Sequence, residues 1–348
     1  MTRQLRVMVV DDSAAYRALL VESVNASGFA RVVTTAADGR EALRKFEEFH
    51  PDLLTVDVEM PVMGGLELLQ ALRAIDPIVP ILMVSALTTK GARESVRALE
   101  LGATEIITKP QGATPQGSRD ELRARMRALL EALAPVAPAR AAPHPTPRLL
   151  VPKSPPRVVG IGSSTGGPGA LATIIPALPR DLPVPVLVVQ HMPPMFTASL
   201  AEMLARKSAI RVVEVKDGEE LLASTVYIAP GGRHLRVRAA NAQVFAELTD
   251  DPPEHHCRPA VDYLFRSLAQ TYREAAMGVI LTGMGKDGTL GLRLMKRHGA
   301  YVVGQDAESC TVYGMPREAM EAGVVDVEVS ASQMASAIIA AVCRGGRG

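Results

Sequence analysis

Cysteine is scarce: three residues in 348, Cys257, Cys310 and Cys343, too widely spaced for a disulfide framework or a CxxC metal site. Such usage suits a reducing compartment, and a cytoplasmic protein is the expectation. Long apolar runs are absent as well. Nowhere do eighteen uninterrupted apolar residues occur, so no membrane-spanning helix is available and no direct membrane insertion is expected. The opening MTRQLRVMVVDDS holds only a short apolar stretch before two aspartates, without a small-residue cleavage site, and reads as a buried strand rather than a signal peptide. Charge of one sign is missing too. Thirty-eight Lys and Arg stand against thirty-seven Asp and Glu, a net charge of +1, so neither a nucleic-acid-coating protein nor an acidic tail protein is indicated.

What is present is ordinary globular material, 47% hydrophobic and 22% charged, over a length that suits two domains. The division falls at residues 134–157, APVAPARAAPHPTPRLLVPKSPPR, with eight prolines and four positive charges unrelieved by a negative one. Proline fixes φ and removes backbone donors, so this stretch reads as an extended, semi-stiff linker. Residues 1–133 alternate β-branched runs (LRVMVV, RVVTTA, LLTVD, ILMVSA, EIITKP) with five helical patterns, the last spanning Ser118 to Leu133 behind a possible Ser118/Glu121 capping box. That rhythm predicts an α/β domain around a five-stranded parallel sheet. Residues 158–348 repeat it with more strands. Ala239–Ala242 reads as a hairpin turn, so a doubly wound α/β domain with a mixed sheet is expected there.

Parallel α/β sheets gather functional groups beyond the carboxyl ends of their strands. In the first domain Asp11 and Asp12 follow the first strand, Asp57 ends the third, Ser85 ends the fourth, and Lys109 follows the fifth. One such aspartate is usually a cap or turn residue. Three carboxylates converging on one edge, however, repel unless a hard divalent cation sits among them, and Mg²⁺ with phosphate oxygens meets that need.

The pattern of these residues resembles the receiver domain of two-component response regulators, a flavodoxin-like fold, over the whole first segment. The resemblance implies that Asp57 accepts a phosphoryl group from a chemotaxis sensor histidine kinase, and that Asp11, Asp12 and Asp57 with the carbonyl of Glu59 hold Mg²⁺. It further implies that Lys109 pairs with the phosphoryl oxygens and that Ser85 switches toward them. Two positions depart from the pattern: Ile106, where an aromatic is common, and Gly64, where an aspartate is common.

In the second domain RVVGIG is followed by SSTGGPGAL. A dinucleotide loop would need glycine where Thr165 stands and an acidic residue about twenty positions on, and neither is found. The alternative is a nucleophile turn, because Gly162 to Gly166 fit GxSxG with Ser164 at the centre. His191 ends the next strand, VPVLVVQH, and Asp287 sits in LTGMGKDG after the strand MGVIL. Taken singly these are a solvated strand-end histidine and a helix cap; together Ser, His and Asp at three strand ends point to acyl transfer. Their chain order is not that of the α/β-hydrolases.

With GSSTGGP, QHMPPMFTASLAEML, HCRPAVDYLF, LTGMGKDG and QDAESCTVYGMPREA, residues 158–348 resemble the CheB-type methylesterase domain of the chemotaxis protein-glutamate methylesterases. The resemblance implies a triad of Ser164, His191 and Asp287, with Thr165 beside the nucleophile and the Met284 backbone N–H as oxyanion donor. It also implies hydrolysis of glutamate γ-methyl esters on methyl-accepting chemotaxis receptors and deamidation of receptor glutamines, with no cofactor for the esterase step. The regulation to expect is a receiver covering the Ser164 cleft until charge added at Asp57 repacks the contact.

Other groups carry less. His255, His256 and Cys257 lack a second ligand cluster at zinc spacing and read as structural or cleft-lining residues, and Arg258 as a rim residue. A binding-only output domain is the competing reading. DNA is disfavoured as its partner, since residues 158–348 carry 18 basic and 19 acidic groups with no basic stripe.

Overall fold

The computed structural model describes residues 3–110, 114–134, 152 and 154–343. The chain divides into two compact units, Met1–Ala142 and Pro143–Gly348. Most of the proline-rich stretch at 134–157 lies outside the described residues.

The first unit runs β1 (Leu5–Val10), α1 (Ala14–Asn25), β2 (Ala30–Ala36), α2 (Gly39–Phe49), β3 (Leu53–Asp57), α3 (Gly65–Ile75), β4 (Ile81–Ser85), α4 (Thr89–Glu100), β5 (Glu105–Thr108) and α5 (Pro115–Leu133). Its five strands are parallel in the order β2-β1-β3-β4-β5, the flavodoxin-like arrangement. The order reverses between β1 and β3, which opens a crevice beyond their carboxyl ends. The inner strands β3 and β4 are buried along their whole length, which is why they read as continuous apolar runs rather than alternating ones. Val7, Val9, Leu53, Leu82 and Val84 pack with Leu20 and Met126 in one core. Each such side chain contributes about 1.5–3 kcal/mol by leaving water.

Helix α5 starts earlier than the Ser118 capping box predicts. Thr114 caps it, accepting from the Gly117 N–H at 3.1 Å, and Pro115 fills the first helical position, where its missing N–H costs nothing. The loop after β3 holds a local strain. Val62, 71% exposed, sits at φ +67°, a region that penalises L-residues by about 1–2 kcal/mol and a β-branched one most. Val62→Asn is therefore expected to stabilise this unit by about 1 kcal/mol, read as slower native-state hydrogen exchange of the β3 amides.

The second unit runs β6 (Val158–Ser163), α6 (Gly167–Ile174), β7 (Val186–Gln190), α7 (Phe196–Lys207), β8 (Arg211–Glu214), β9 (Thr225–Ile228), β10 (His234–Ala240), β11 (Gln243–Thr249), α8 (Val261–Tyr272), β12 (Ala276–Ile280), α9 (Thr289–Arg297), β13 (Tyr301–Gln305), α10 (Met315–Glu321), β14 (Val327–Val329) and α11 (Ala331–Val342). Seven strands form a parallel sheet in the order β14-β13-β12-β6-β7-β9-β8. The antiparallel portion is present but stands apart as a two-stranded sheet, β10 paired with β11. Asn241 and Ala242 close that hairpin with φ of +52° and +65°, the backbone sign a twisted two-residue turn demands. The main sheet turns back on itself at β6, with β7 on one side and β12 on the other. The loops after β6, β7 and β12 therefore leave from neighbouring strands at one edge.

Candidate functional site

Register fixes the first relation in the second unit. Ser163 pairs with Gln190 across β6 and β7, and the His191 N–H donates to the Ser163 carbonyl at 3.1 Å, so Ser164 and His191 are the next residues out on adjacent strands. The turn that presents Ser164 depends on Gly166, which adopts φ +76° and leaves no room for a Cβ against Thr311. Gln190, buried, locks the turn from below: its Oε1 accepts from Ser163 Oγ at 2.7 Å and its Nε2 donates to the Ser164 carbonyl at 2.9 Å. The Ser163 hydroxyl is thereby committed, whereas Ser164 is half-buried at the crevice.

Asp287 is brought in by the loop after β12. Its Oδ2 accepts from His191 Nε2 at 2.8 Å and from the Val261 N–H at 2.7 Å, and its Oδ1 accepts from the Asp262 N–H at 2.8 Å. These amides open α8, so the carboxylate caps a helix start and gains from its dipole. The cap and the histidine partner are one residue. Burial works against the charge of Asp287, yet the His191 contact and the two amides outweigh it and hold its carboxyl below the usual range. Burial likewise disfavours a charged His191 ring, but Asp287 and then Cys257 overcome it and raise the ring to about 9.

With Nε2 on Asp287, the free nitrogen of His191 is Nδ1, and Cys257 Sγ lies 3.5 Å from it. Among the described residues no hydrogen bond joins Ser164 Oγ to His191. Cys257, read from the sequence as a cleft-lining residue, thus sits directly on the imidazole; a lone cysteine in a loop gave no signal of that. Gln190 was missed also, because a strand-end glutamine reveals its partners only when the strands are paired. Behind Asp287 the buried Asp262 accepts from His255 Nε2 at 3.0 Å and from the Gly291 N–H at 2.7 Å. Arg258 donates to the Asp250 and Asp251 carbonyls, outside this cluster.

Thr165 is buried, and its carbonyl accepts from Thr282 Oγ1 at 2.9 Å. Gly283 comes so close to the nucleophile turn that a Cβ on it would lie 2.8 Å from the Ser164 Cβ. Met284, 41% exposed, follows at the mouth of the crevice.

In the first unit the strand-end groups also converge. Carboxylate oxygens of Asp11, Asp12 and Asp57 lie within 4.8 Å of one another, with Asp11 and Asp57 buried and Asp12 exposed. Lys109 Nζ stands 2.7 Å from Asp57 Oδ2 and 3.2 Å from Asp11 Oδ2. Burial, opposed by Lys109, raises both Asp11 and Asp57 above the ordinary carboxylate range. Burial would lower Lys109, but the two aspartates win and raise it. The Ser85 hydroxyl donates to the Gly91 carbonyl at 3.2 Å, pointing at the start of α4 rather than at the acids. The Glu59 side chain pairs outward with Lys90 at 2.6 Å.

Comparisons with known proteins show the family. A family model for the CheB methylesterase matches residues 159–338, and one for the response regulator receiver domain matches residues 7–116. A protein-glutamate methylesterase/protein-glutamine glutaminase of Desulfotalea psychrophila is 40% identical, covering 97% of this chain and 98% of its own length. One of Salmonella typhimurium is 41% identical, covering 98% of each chain. The crystal structure of the Thermotoga maritima CheB methylesterase catalytic domain, at 45% identity and a TM-score of 0.52, covers 53% of this chain and 98% of its own. No described helix is long and apolar enough to cross a membrane. A receiver unit of this kind implies phosphorylation and a phosphodonor kinase. The chain belongs to the protein-glutamate methylesterase/protein-glutamine glutaminase family, a CheB methylesterase domain preceded by a response regulator receiver domain.

Proposed function

We propose that Ser164, His191 and Asp287 hydrolyse the γ-methyl ester of receptor glutamates and deamidate receptor glutamines, under the control of phosphorylation at Asp57. The observation that carries this is the 2.8 Å contact of His191 with Asp287 at the strand edge where Ser164 leaves β6. Asp287 holds a proton on Nε2 and leaves Nδ1 to act as base. For that step the imidazole exchanges its Cys257 contact for the Ser164 hydroxyl and takes its proton. Ser164 Oγ attacks the ester carbonyl, and the oxyanion forms beside Thr165 and the Met284 backbone N–H. Collapse expels methanol, which takes its proton from Nδ1; water, deprotonated in turn by His191, releases the glutamate. With glutamine the same carbonyl is attacked and ammonia leaves. Protein groups suffice for each step, and the esterase reading uses no cofactor.

For the first unit we read Asp57 as the phosphoryl acceptor, with a chemotaxis sensor histidine kinase as donor and methyl-accepting chemotaxis receptors as the substrate of the output domain. The acid cluster suits Mg²⁺. Its carboxylates approach one another closely, and among the described residues the buried Asp11 Oδ2 is met only by the Lys109 ammonium at 3.2 Å, a lone cation for three converging acids. Asp11, Asp12, Asp57 and the Glu59 carbonyl would hold the ion, which when bound supplies the charge neutralisation that phosphoryl transfer needs. Lys109 is placed to pair with the phosphoryl oxygens, and Ser85 would turn from Gly91 toward them. The setting is the cytoplasm, without nucleic acid as a partner.

The test is methanol release from methylated receptor with and without a small-molecule phosphodonor and Mg²⁺. Activation of about 5- to 150-fold is expected, the range typical coupling energies give, and Asp57→Ala should lose it. Equal rates in wild type, or activation that survives Asp57→Ala, would reject the gating.

A further inference from the structure

One contact at the acid cluster is unused by that reading. Tyr16, in the first turn of α1, places its ring under the Lys109 ammonium, 4.5 Å from Nζ to the ring centroid. Ser13 caps this helix, its Oγ accepting from the Tyr16 N–H at 3.3 Å, and so fixes the turn that carries the ring. The Arg17 guanidinium bonds the Asp11 carbonyl at 2.7 Å and ties the same turn to the end of β1. Tyr16's hydroxyl oxygen is buried and, among the described residues, has no hydrogen-bond partner. A buried, unpaired hydroxyl is costly to keep. Ile106, three residues before Lys109, is a buried aliphatic side chain with nothing to offer an ammonium.

We propose that Tyr16 is a positioning residue for phosphorylation: its ring holds the Lys109 ammonium at the acceptor carboxylate, and its hydroxyl donates to the phosphoryl group once that is on Asp57. The proposal rests on the reading of Asp57 as the phosphoryl acceptor. An ammonium stacked on an aromatic face and shielded from water is held by an attraction that weakens sharply when the ring is lost. The unpaired O–H is a donor lying within the field of Asp11 and Asp57. Burial, with the charges of Asp11 and Asp57, pushes its ionisation upward, so it stays protonated. A phosphoryl group brings three strong acceptor oxygens to that place.

The experiment follows phosphorylation of the full chain by acetyl phosphate and Mg²⁺, measuring the rate of uptake and the lifetime of the phosphoprotein, with melting curves as a check on folding. Tyr16→Leu is expected to slow uptake about tenfold, within the range a desolvated cation–π contact gives. Tyr16→Phe keeps the ring and should hold uptake within about twofold of wild type while shortening the lifetime severalfold. Action through the lysine is read from a double-mutant cycle: on a Lys109→Gln background, Tyr16→Leu should slow uptake no further. Wild-type uptake in Tyr16→Leu, or additive effects in the cycle, would overturn the positioning role. An unchanged lifetime in Tyr16→Phe would overturn the hydroxyl's part. Absence of phosphorylation in the wild type would instead overturn the receiver reading, and the proposal with it.

Discussion

Ser164→Ala is expected to abolish methanol release, a loss on the order of 10⁶-fold in kcat if the residue behaves as nucleophiles of serine hydrolases do. The neighbouring Ser163→Ala should leave kcat within a few-fold of wild type. The contrast follows from where the two hydroxyls point. Ser163 Oγ is spent on Gln190 Oε1 inside the sheet, so its removal leaves that oxygen unpaired and costs about 1–3 kcal/mol of stability, not chemistry. Ser164 lies one residue further out, where Gly166 turns the chain into α6. Parallel assays of both variants on methylated receptor check the claim.

The second large effect belongs to Asp287→Asn. An amide cannot hold the imidazole in the needed tautomer or stabilise its charged form, and the equivalent change in a serine protease costs about 10⁴-fold in kcat. A displaced pH profile should accompany the loss. His191 takes a proton only when neutral, and its ring is raised to about 9 by Asp287 and Cys257 against the opposing effect of burial. In wild type kcat/KM should therefore climb with pH, reach half its limit near 9 and level off above that. In Asp287→Asn the rising limb should move to lower pH, because burial is no longer outweighed. Stability has its own sign: the folded-state value lies above the unfolded 6.5, so the pair's contribution is full below that pH and is lost as pH rises through about 9. A limb that stays in place in Asp287→Asn would show that the carboxylate does not set the ring's charge.

Much of this was legible before folding because it follows from local chemistry. Parallel strands buried on both faces write themselves as LLTVD or ILMVS, and strand-end residues of neighbouring strands must meet, so Asp11, Asp57 and Lys109 were brought together without knowledge of their distances. The same rule brings His191 to Asp287, at the edge where Ser164 leaves β6. What escaped is what depends on packing across elements. Cys257 arrives at His191 Nδ1 through the loop before α8, and no spacing in HHCRP announces it. Gln190 locks the nucleophile turn only because β6 and β7 are in register. Tyr16 meets Lys109 from another element, and its place in α1 looks like an ordinary core position. The start of α5 was misplaced because Ser118 with Glu121 and Thr114 with Pro115 both satisfy capping rules, and in the fold Thr114 is the residue that caps.

The account stands on Ser164 being the hydroxyl that His191 activates. Labelling the full chain with a fluorophosphonate and mapping the adduct by mass spectrometry tests this directly. A single adduct on Ser164, lost in His191→Ala and retained in Ser163→Ala, is the predicted result. An unlabelled Ser164, or an adduct that persists in His191→Ala, would contradict it.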